Sequence, residues 1–155
     1  MISPDKRKHP DGRILALDLG QKRVGVAISD ELQISIKRLK PLQRTNWKQL
    51  LLEIKKLVQE YSASGVVVGF PLSLDGRKGS AAAAVEETAG RFAKVLHIPI
   101  FLQDERLSSV EAAEQLRADG HNPNELTGLI DSQAAAVILA DFFASNESRT
   151  VVTPH

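Results

Sequence analysis

The chain has 155 residues, 43% hydrophobic and 25% charged, the length and make-up of one ordinary globular domain. It contains no cysteine, which excludes disulfides, thiolate metal sites and a cysteine nucleophile. No apolar run approaches the roughly 20 residues that span a bilayer. The charged stretch Met1 to Gly12 is not a secretory signal, so a cytoplasmic location is expected.

Net charge is +1, but it is unevenly spread. Residues 1–80 carry 15 Lys and Arg against 8 Asp and Glu, and residues 81–155 carry 5 against 11. Such a division suits a protein that grips phosphates with one surface and holds cations with another.

Residues 1–12 read as a mobile N-terminal tail. Ile14 to Ile28 then reads I-L-A-L-D-L-G-Q-K-R-V-G-V-A-I. A short apolar strand ends at Asp18, a polar turn follows, and Val24, Val26 and Ile28 alternate with small residues as in a strand covered on both faces. Gly20 supplies the backbone freedom of the turn. The expected element is a hairpin with a carboxylate at its mouth and two cations, Lys22 and Arg23, in the turn. Gln33 to Leu39 reads as a third strand. Lys37, Arg38, Lys40, Arg44 and Lys48 form a basic cluster after it.

Asn46 starts a helix in which Trp47, Leu50, Leu51, Ile54, Leu57, Val58 and Tyr61 recur at helical spacing, ending near Ser62. Gly65 leads into the buried strand Val66-Val67-Val68, a βαβ-type crossover. Gly69 to Gly79 is a Gly- and Pro-containing loop. It follows the C-terminal end of a central strand, where open α/β sheets place their sites. Ser80 caps the next helix, through Val85, Ala89, Phe92 and Leu96. Ile100 to Leu102 forms a further strand that runs into Gln103-Asp104-Glu105-Arg106. Ser108 with Glu111 matches a capping box for a helix ending near Gly120. His121 to Leu126 is a polar loop, and a last helix spans about Thr127 to Ala144. Residues 13–144 thus form a single domain, and 145–155 a mobile C-terminal tail.

Three places in this order present acids that a fold could gather: Asp18, the pair Asp104 and Glu105, and Asp131. Each has a simpler reading: Asp18 as a turn residue, Asp131 as an acid favoured by a helix N-terminus, Asp104 and Glu105 as a strand end paired with Arg106. Together they suggest magnesium or manganese, hard cations that prefer carboxylate oxygens. Two such ions can activate a water and stabilise the departing oxygen of a phosphodiester. No His pair has metal-ligand spacing.

The stretches ALDLGQKRVGVA (16–27), VVVGFPLSLDG (66–76), DERLSSVEA (104–112) and DSQAAAVIL (131–139) resemble the YqgF family, also called RuvX: pre-16S ribosomal RNA nucleases once proposed as Holliday-junction resolvases. The resemblance implies a ribonuclease H-like α/β fold, a mixed five-stranded sheet flanked by helices. It implies a nuclease using Mg²⁺ or Mn²⁺, acting on the 5′ end of pre-16S ribosomal RNA on a ribosomal particle, or alternatively on branched DNA. Carried over by residue, it makes Asp18, Glu105 and Asp131 the metal ligands. Asp104 is the adjacent acid of the catalytic motif. Lys22, Arg23, Arg77, Lys78 and Arg106 become nucleic-acid contacts.

Side chains alternate along a strand, so only one of Asp104 and Glu105 is expected to meet Asp18, and the sequence leaves open which. The family often carries lysines just before its final Asp. Here that segment, N-P-N-E-L-T-G-L-I, has no cation, which shifts substrate binding toward the cluster at 37–48. Two more remote readings are a non-catalytic nucleic-acid-binding module and an actin-like-fold sugar kinase, whose phosphate hairpin resembles D-L-G-x-K-R-x-G-V-A. Such kinases repeat the unit in two lobes, whereas this chain holds one, with Gln21 in place of the usual Gly or Thr.

Overall fold

The computed structural model describes residues 10–73, 75–105, 123–144 and 149–152. Its elements in order are β1 (Ile14–Leu19), β2 (Arg23–Ser29), β3 (Ile36–Gln43), α1 (Trp47–Tyr61), β4 (Gly65–Phe70), α2 (Ser80–Leu96), β5 (Ile100–Asp104), α3 (Pro123–Ala144) and β6 (Arg149–Val151). They build a six-stranded sheet in the order β3-β2-β1-β4-β5-β6. Strands β1, β4 and β5 run parallel, and β2, β3 and β6 pair antiparallel with their neighbours.

The mixed α/β architecture stands as expected, with one strand more. That strand, β6, lies inside the stretch 145–155 expected to be a mobile tail. It pairs with β5 from Phe101↔Val151 to Gln103↔Arg149. Three residues lacking an apolar pattern form a strand because the edge of β5 offers them backbone partners. At the other terminus, Pro10 and Gly12 carbonyls both accept from the Gln33 side-chain amide at 2.9 Å. The part of the expected tail that is described is therefore tied to the β2–β3 turn.

Burial fixes the layers. Leu15, Leu17, Val66, Val68, Ile100 and Leu102 face α1 and α2, packing with Leu50, Ile54 and Phe92. Ile14, Ala16, Ala27, Val67 and Phe101 face α3, against Ala135, Ile138, Leu139 and Phe142. Strands covered on both faces are apolar at nearly every position, as β1, β2 and β4 are. No helix among the described residues is long and apolar enough to cross a membrane.

Helix α1 begins as its sequence predicts. The Asn46 side chain accepts from Gln49 N at 2.9 Å, satisfying one of the first-turn amides. It ends on Ser62 in the left-handed conformation, φ 52°. Helix α2 differs from expectation: Gly79 is its N-cap, without a side-chain cap bond, and Ser80 is its first helical residue. Strand β3 starts later than Gln33 because Asp30 Oδ1 accepts from the backbone amides of Ile34 and Ser35 at 2.7 and 2.9 Å. That turn takes up the residues that looked strand-like. Helix α3 starts at Pro123, inside the stretch expected to be a polar loop. The helix expected from Ser108 to Gly120 lies outside the described residues.

Candidate metal and nucleic-acid site

Strand alternation carries the α3-facing positions to the C-terminal ends of three adjacent strands. On β1, Ile14 and Ala16 lead to Asp18. On β4, Val67 leads to Gly69. Beside them Phe101 and Gln103 of β5 lead to Glu105, while Asp104 follows Ile100 and Leu102 toward the opposite face. The register holds these ends together: Leu17 pairs with Val68, and Gly69 with Gln103. Glu105 N donates to Phe70 O at 3.1 Å, fixing the backbone where its side chain departs.

The two strands bearing Asp18 and Glu105 are separated by β4, and Gly69 lets the acids meet. A Cβ on Gly69 would land on Glu105 Oε2 and would lie 2.6 Å from Ile138 Cδ1 of α3. With no side chain there, the Glu105 carboxyl crosses β4 and hydrogen-bonds Asp18. Burial, then the Asp18 carboxylate and the hydrogen bond to it, then Asp104, raise the Glu105 carboxyl from its ordinary value to about 8. Two like-charged groups in a half-buried site cannot both ionise cheaply.

This settles a choice the sequence left open, since the acid meeting Asp18 is Glu105. Asp104 stands beside the pair as a further negative charge. Among the described residues no three His, Asp or Glu side chains gather closely enough to hold an ion. Asp131 falls within α3, and its side chain lies outside the described residues.

The residues present fit a hard divalent cation. The cradle over Gly69 holds two carboxylates in contact, and a bound cation would replace the shared proton as the neutralising charge. Their oxygens are the donors that magnesium and manganese prefer.

The hairpin turn is built by sterics rather than by unusual dihedrals. Gly20 was expected to adopt backbone angles closed to other residues, yet the left-handed glycines among the described residues are Gly12 and Gly76. Gly20 is required because a Cβ would sit 2.6 Å from Arg23 O, the carbonyl its own amide bonds at 3.0 Å.

Arg44 then clasps this turn. Its Nη1 donates to Gly20 O at 2.8 Å, and its amide donates to Lys22 O at 2.9 Å. Arg44 and Glu105 line the same cleft of about 300 Å³, with Gly20, Gln21 and Pro71 between β1 and α2.

The predicted phosphate contacts divide. Lys22 is exposed in the turn, and Arg23 opens β2, half-buried. Arg77 pairs with Asp75 at 3.3 Å and Lys78 with Glu86 of α2 at 3.1 Å, so acids of their own neighbourhood engage both. The loop around them is ordered by Ser73, whose hydroxyl lies 2.6 Å from Asp75 Oδ1. Arg106 lies outside the described residues.

Two site residues escaped the sequence reading. Gly69, which the sequence reads as the start of a loop, lies inside β4; a glycine directly after three buried valines is a sign of close approach. Arg44 was one cation among five, and nothing local marked its bond to the turn.

Comparison with known proteins places this geometry in a family. A family model described as "RuvX: Holliday junction resolvase" matches residues 12–145. The chain belongs to the RuvX family. A relative from Gloeothece citriformis is 41% identical over 138 residues, covering 89% of this chain and 91% of its own. One from Chloroflexus aurantiacus is 38% identical over 148 residues, covering 94% and 97%. Each carries the name "Putative pre-16S rRNA nuclease".

Among solved structures, T. thermophilus RuvC in complex with a Holliday junction substrate superposes with a TM-score of 0.55 at 13% identity. It covers 86% of this chain and 94% of that one. The fowlpox virus Holliday junction resolvase gives 0.53 at 16%, covering 86% and 99%. At these identities the likeness establishes the shared ribonuclease H-like fold. The RuvX chain described here therefore presents its acid pair on the fold of RuvC.

Proposed function

We propose that this RuvX chain is a divalent-metal-dependent nuclease that hydrolyses phosphodiester bonds of structured RNA in the cytoplasm, maturing the 5′ end of pre-16S ribosomal RNA. The observation that carries the proposal is the contact between Asp18 and Glu105 across Gly69. The names of the relatives supply the substrate.

Asp18 and Glu105 would hold the cation, with Asp131 of α3 contributing the third carboxylate. When bound, Mg²⁺ or Mn²⁺ supplies an activated water and charge stabilisation at the departing oxygen. The chain's own residues do the rest. Glu105 would release its proton to solvent where a cation binds beside Asp18. Asp104, from the other face, adds negative potential that favours that cation. Lys22 in the turn and Arg23 at the start of β2, across the hairpin from Asp18 of β1, bind phosphates beside the reacting bond, Arg23 with the planar fork suited to bidentate contact. Arg77, Lys78 and Arg106 contribute as the loop and the segment after β5 approach the substrate. For Arg77 and Lys78 this means exchanging Asp75 and Glu86 for phosphate, an inexpensive exchange for exposed pairs.

A second reading keeps the chemistry and changes the substrate to branched DNA. The description of the matching family favours it. Phosphate contacts do not distinguish the two substrates.

The test is to incubate the purified protein with labelled ribosomal precursor RNA and with a four-way DNA junction, in Mg²⁺, Mn²⁺ or EDTA. Asp18→Asn and Asp131→Asn are run alongside. Metal-dependent trimming of the RNA, lost in both variants, is the expected result. Cleavage that persists in EDTA refutes the metal mechanism, and cleavage of the junction alone refutes the ribosomal substrate.

A further inference from the structure

Among the described residues, strand β3 is an outer strand of the sheet, pairing with β2 and no other strand. Its sequence is I-K-R-L-K-P-L-Q. Between Glu31 and Glu53 the chain carries five cations (Lys37, Arg38, Lys40, Arg44 and Lys48) and no acid. All five are exposed. An exposed edge with free backbone groups ordinarily invites another strand. This edge is closed to one: the register slips between Val24↔Leu42 and Val26↔Leu39, putting an extra residue into β3, and Pro41 at that point has no amide to donate. What the edge offers a partner is positive charge, not strand pairing.

The cations are also continuous with the candidate site. Strand β3 is antiparallel to β2, so its Gln43 end lies beside Arg23, at the mouth where Asp18 sits. Arg44 follows directly and is bonded to the Gly20 and Lys22 carbonyls. From Arg44 back to Lys37 the strand covers about 23 Å at a strand rise near 3.3 Å per residue. That length matches about seven base pairs of a B-form duplex arm at about 3.4 Å each, and somewhat more of the more compact RNA helix.

We propose that the β3 edge, its loop into α1 and the first turn of α1 are a rail that grips the duplex arm leading away from the scissile bond, with Lys37, Lys40 and Lys48 on its phosphates. The proposal rests on the nuclease reading for the identity of the scissile bond. Arg38 already donates to Gln133 of α3 at 3.1 Å, and Arg44 holds the turn, so the three lysines are the residues to test. This surface offers a binding basis for a chain lacking cations in the segment 122–130 before Asp131.

The experiment uses the full chain with Asp18→Asn, which stops turnover, and two labelled RNA hairpins with arms of about 12 and about 3 base pairs, the longer exceeding the rail and the shorter reaching only its Arg44 end, short of Lys40 and Lys37. Adding K37Q, K40Q and K48Q is expected to weaken binding of the long-armed RNA about tenfold and to reduce the slope of log affinity against log salt by about 3, one per lost phosphate contact. Binding of the short-armed RNA is expected to hold. The same positions changed to arginine restore the long-arm affinity. K55Q with K56Q and K94Q, equal in charge but off the rail, leave it unchanged.

Thermal melting that matches the parent shows that the variants are folded. The rail is overturned if the three Gln variants bind the long arm with the parent's affinity and salt slope. It is also overturned if both hairpins weaken alike, or if the off-rail variants weaken binding as much. A wild-type chain that binds the long arm through these lysines but cleaves no nucleic acid with Mg²⁺ refutes the nuclease reading while leaving the rail standing.

Discussion

The carboxyl of Glu105 hydrogen-bonds the carboxylate of Asp18 across the place where Gly69 has no side chain. Two acids at the ends of strands that are not neighbours meet on the α3 face of the sheet, and burial beside Asp18 raises the Glu105 carboxyl to about 8.

Gly69→Ala puts a methyl onto the Glu105 carboxylate and against Ile138. The Ile138 contact is overpacking of a core, which costs about 1–3 kcal/mol, so the melting temperature falls. The Glu105 contact displaces a carboxyl proposed to hold the cation, so the affinity for Mn²⁺ is expected to fall as well. Melting with and without Mn²⁺ measures both. A variant less stable than wild type but equally stabilised by Mn²⁺ would separate Gly69 from the site.

The stability of the metal-free protein depends on pH in a defined direction. The Glu105 carboxyl titrates at about 8 in the folded chain against 4.5 ordinarily, so the folded state keeps a proton that the unfolded chain releases. Below about pH 4.5 the group is protonated in both states and there is no penalty. As pH rises toward about 8, stability falls by an amount on the order of a few kcal/mol. Denaturant melts from pH 5 to about 8.5 should show this decline, and Glu105→Gln should flatten it. Added Mg²⁺ should reverse it, since the cation replaces the proton.

Arg44→Gln removes the bond to Gly20 O. The residue is exposed, so the stability cost is about 1 kcal/mol or less. Cleavage should suffer more than stability, because the turn it clasps holds Lys22 and joins the strand ends that carry Asp18 and Arg23. Comparing the loss of kcat with the shift in melting temperature tests this. Arg44→Lys restores the charge but not the planar fork, and is expected to recover only part of the activity.

Ser132→Ala removes the hydroxyl that donates to Leu39 O at 2.6 Å and ties α3 to β3. Losing this part-buried hydrogen bond costs about 0.5–1.5 kcal/mol. Ser132 adjoins Asp131, so slackening this end of α3 is expected to lower cleavage too. Hydrogen exchange along α3 and a cleavage assay check both parts.

The sequence made the strands and helices legible where a single periodicity governed them. The β1–β2 hairpin and the Asn46 cap needed only local pattern. Strand β6 did not announce itself, because its three residues are held by β5 rather than by their own propensity. The choice between Asp104 and Glu105 needed the register of β5 against β4, which no local feature carries. Gly20 and Gly69 were visible as glycines, but their purpose depended on the Arg23 carbonyl and on the Glu105 carboxyl, which only the fold brings near. Arg44 shows the same limit: its role lies in a bond spanning 24 residues.

The most direct test of the central claim is a calorimetric titration of Mn²⁺ into the protein near pH 7, repeated in two buffers of different ionisation heat to count released protons. The account predicts binding accompanied by release of about one proton from Glu105, because metal ligands must be deprotonated. It predicts binding without that proton in Glu105→Gln, and affinity lost in Asp18→Asn. Binding of undiminished affinity in Asp18→Asn, with the same proton count in Glu105→Gln as in wild type, would contradict it.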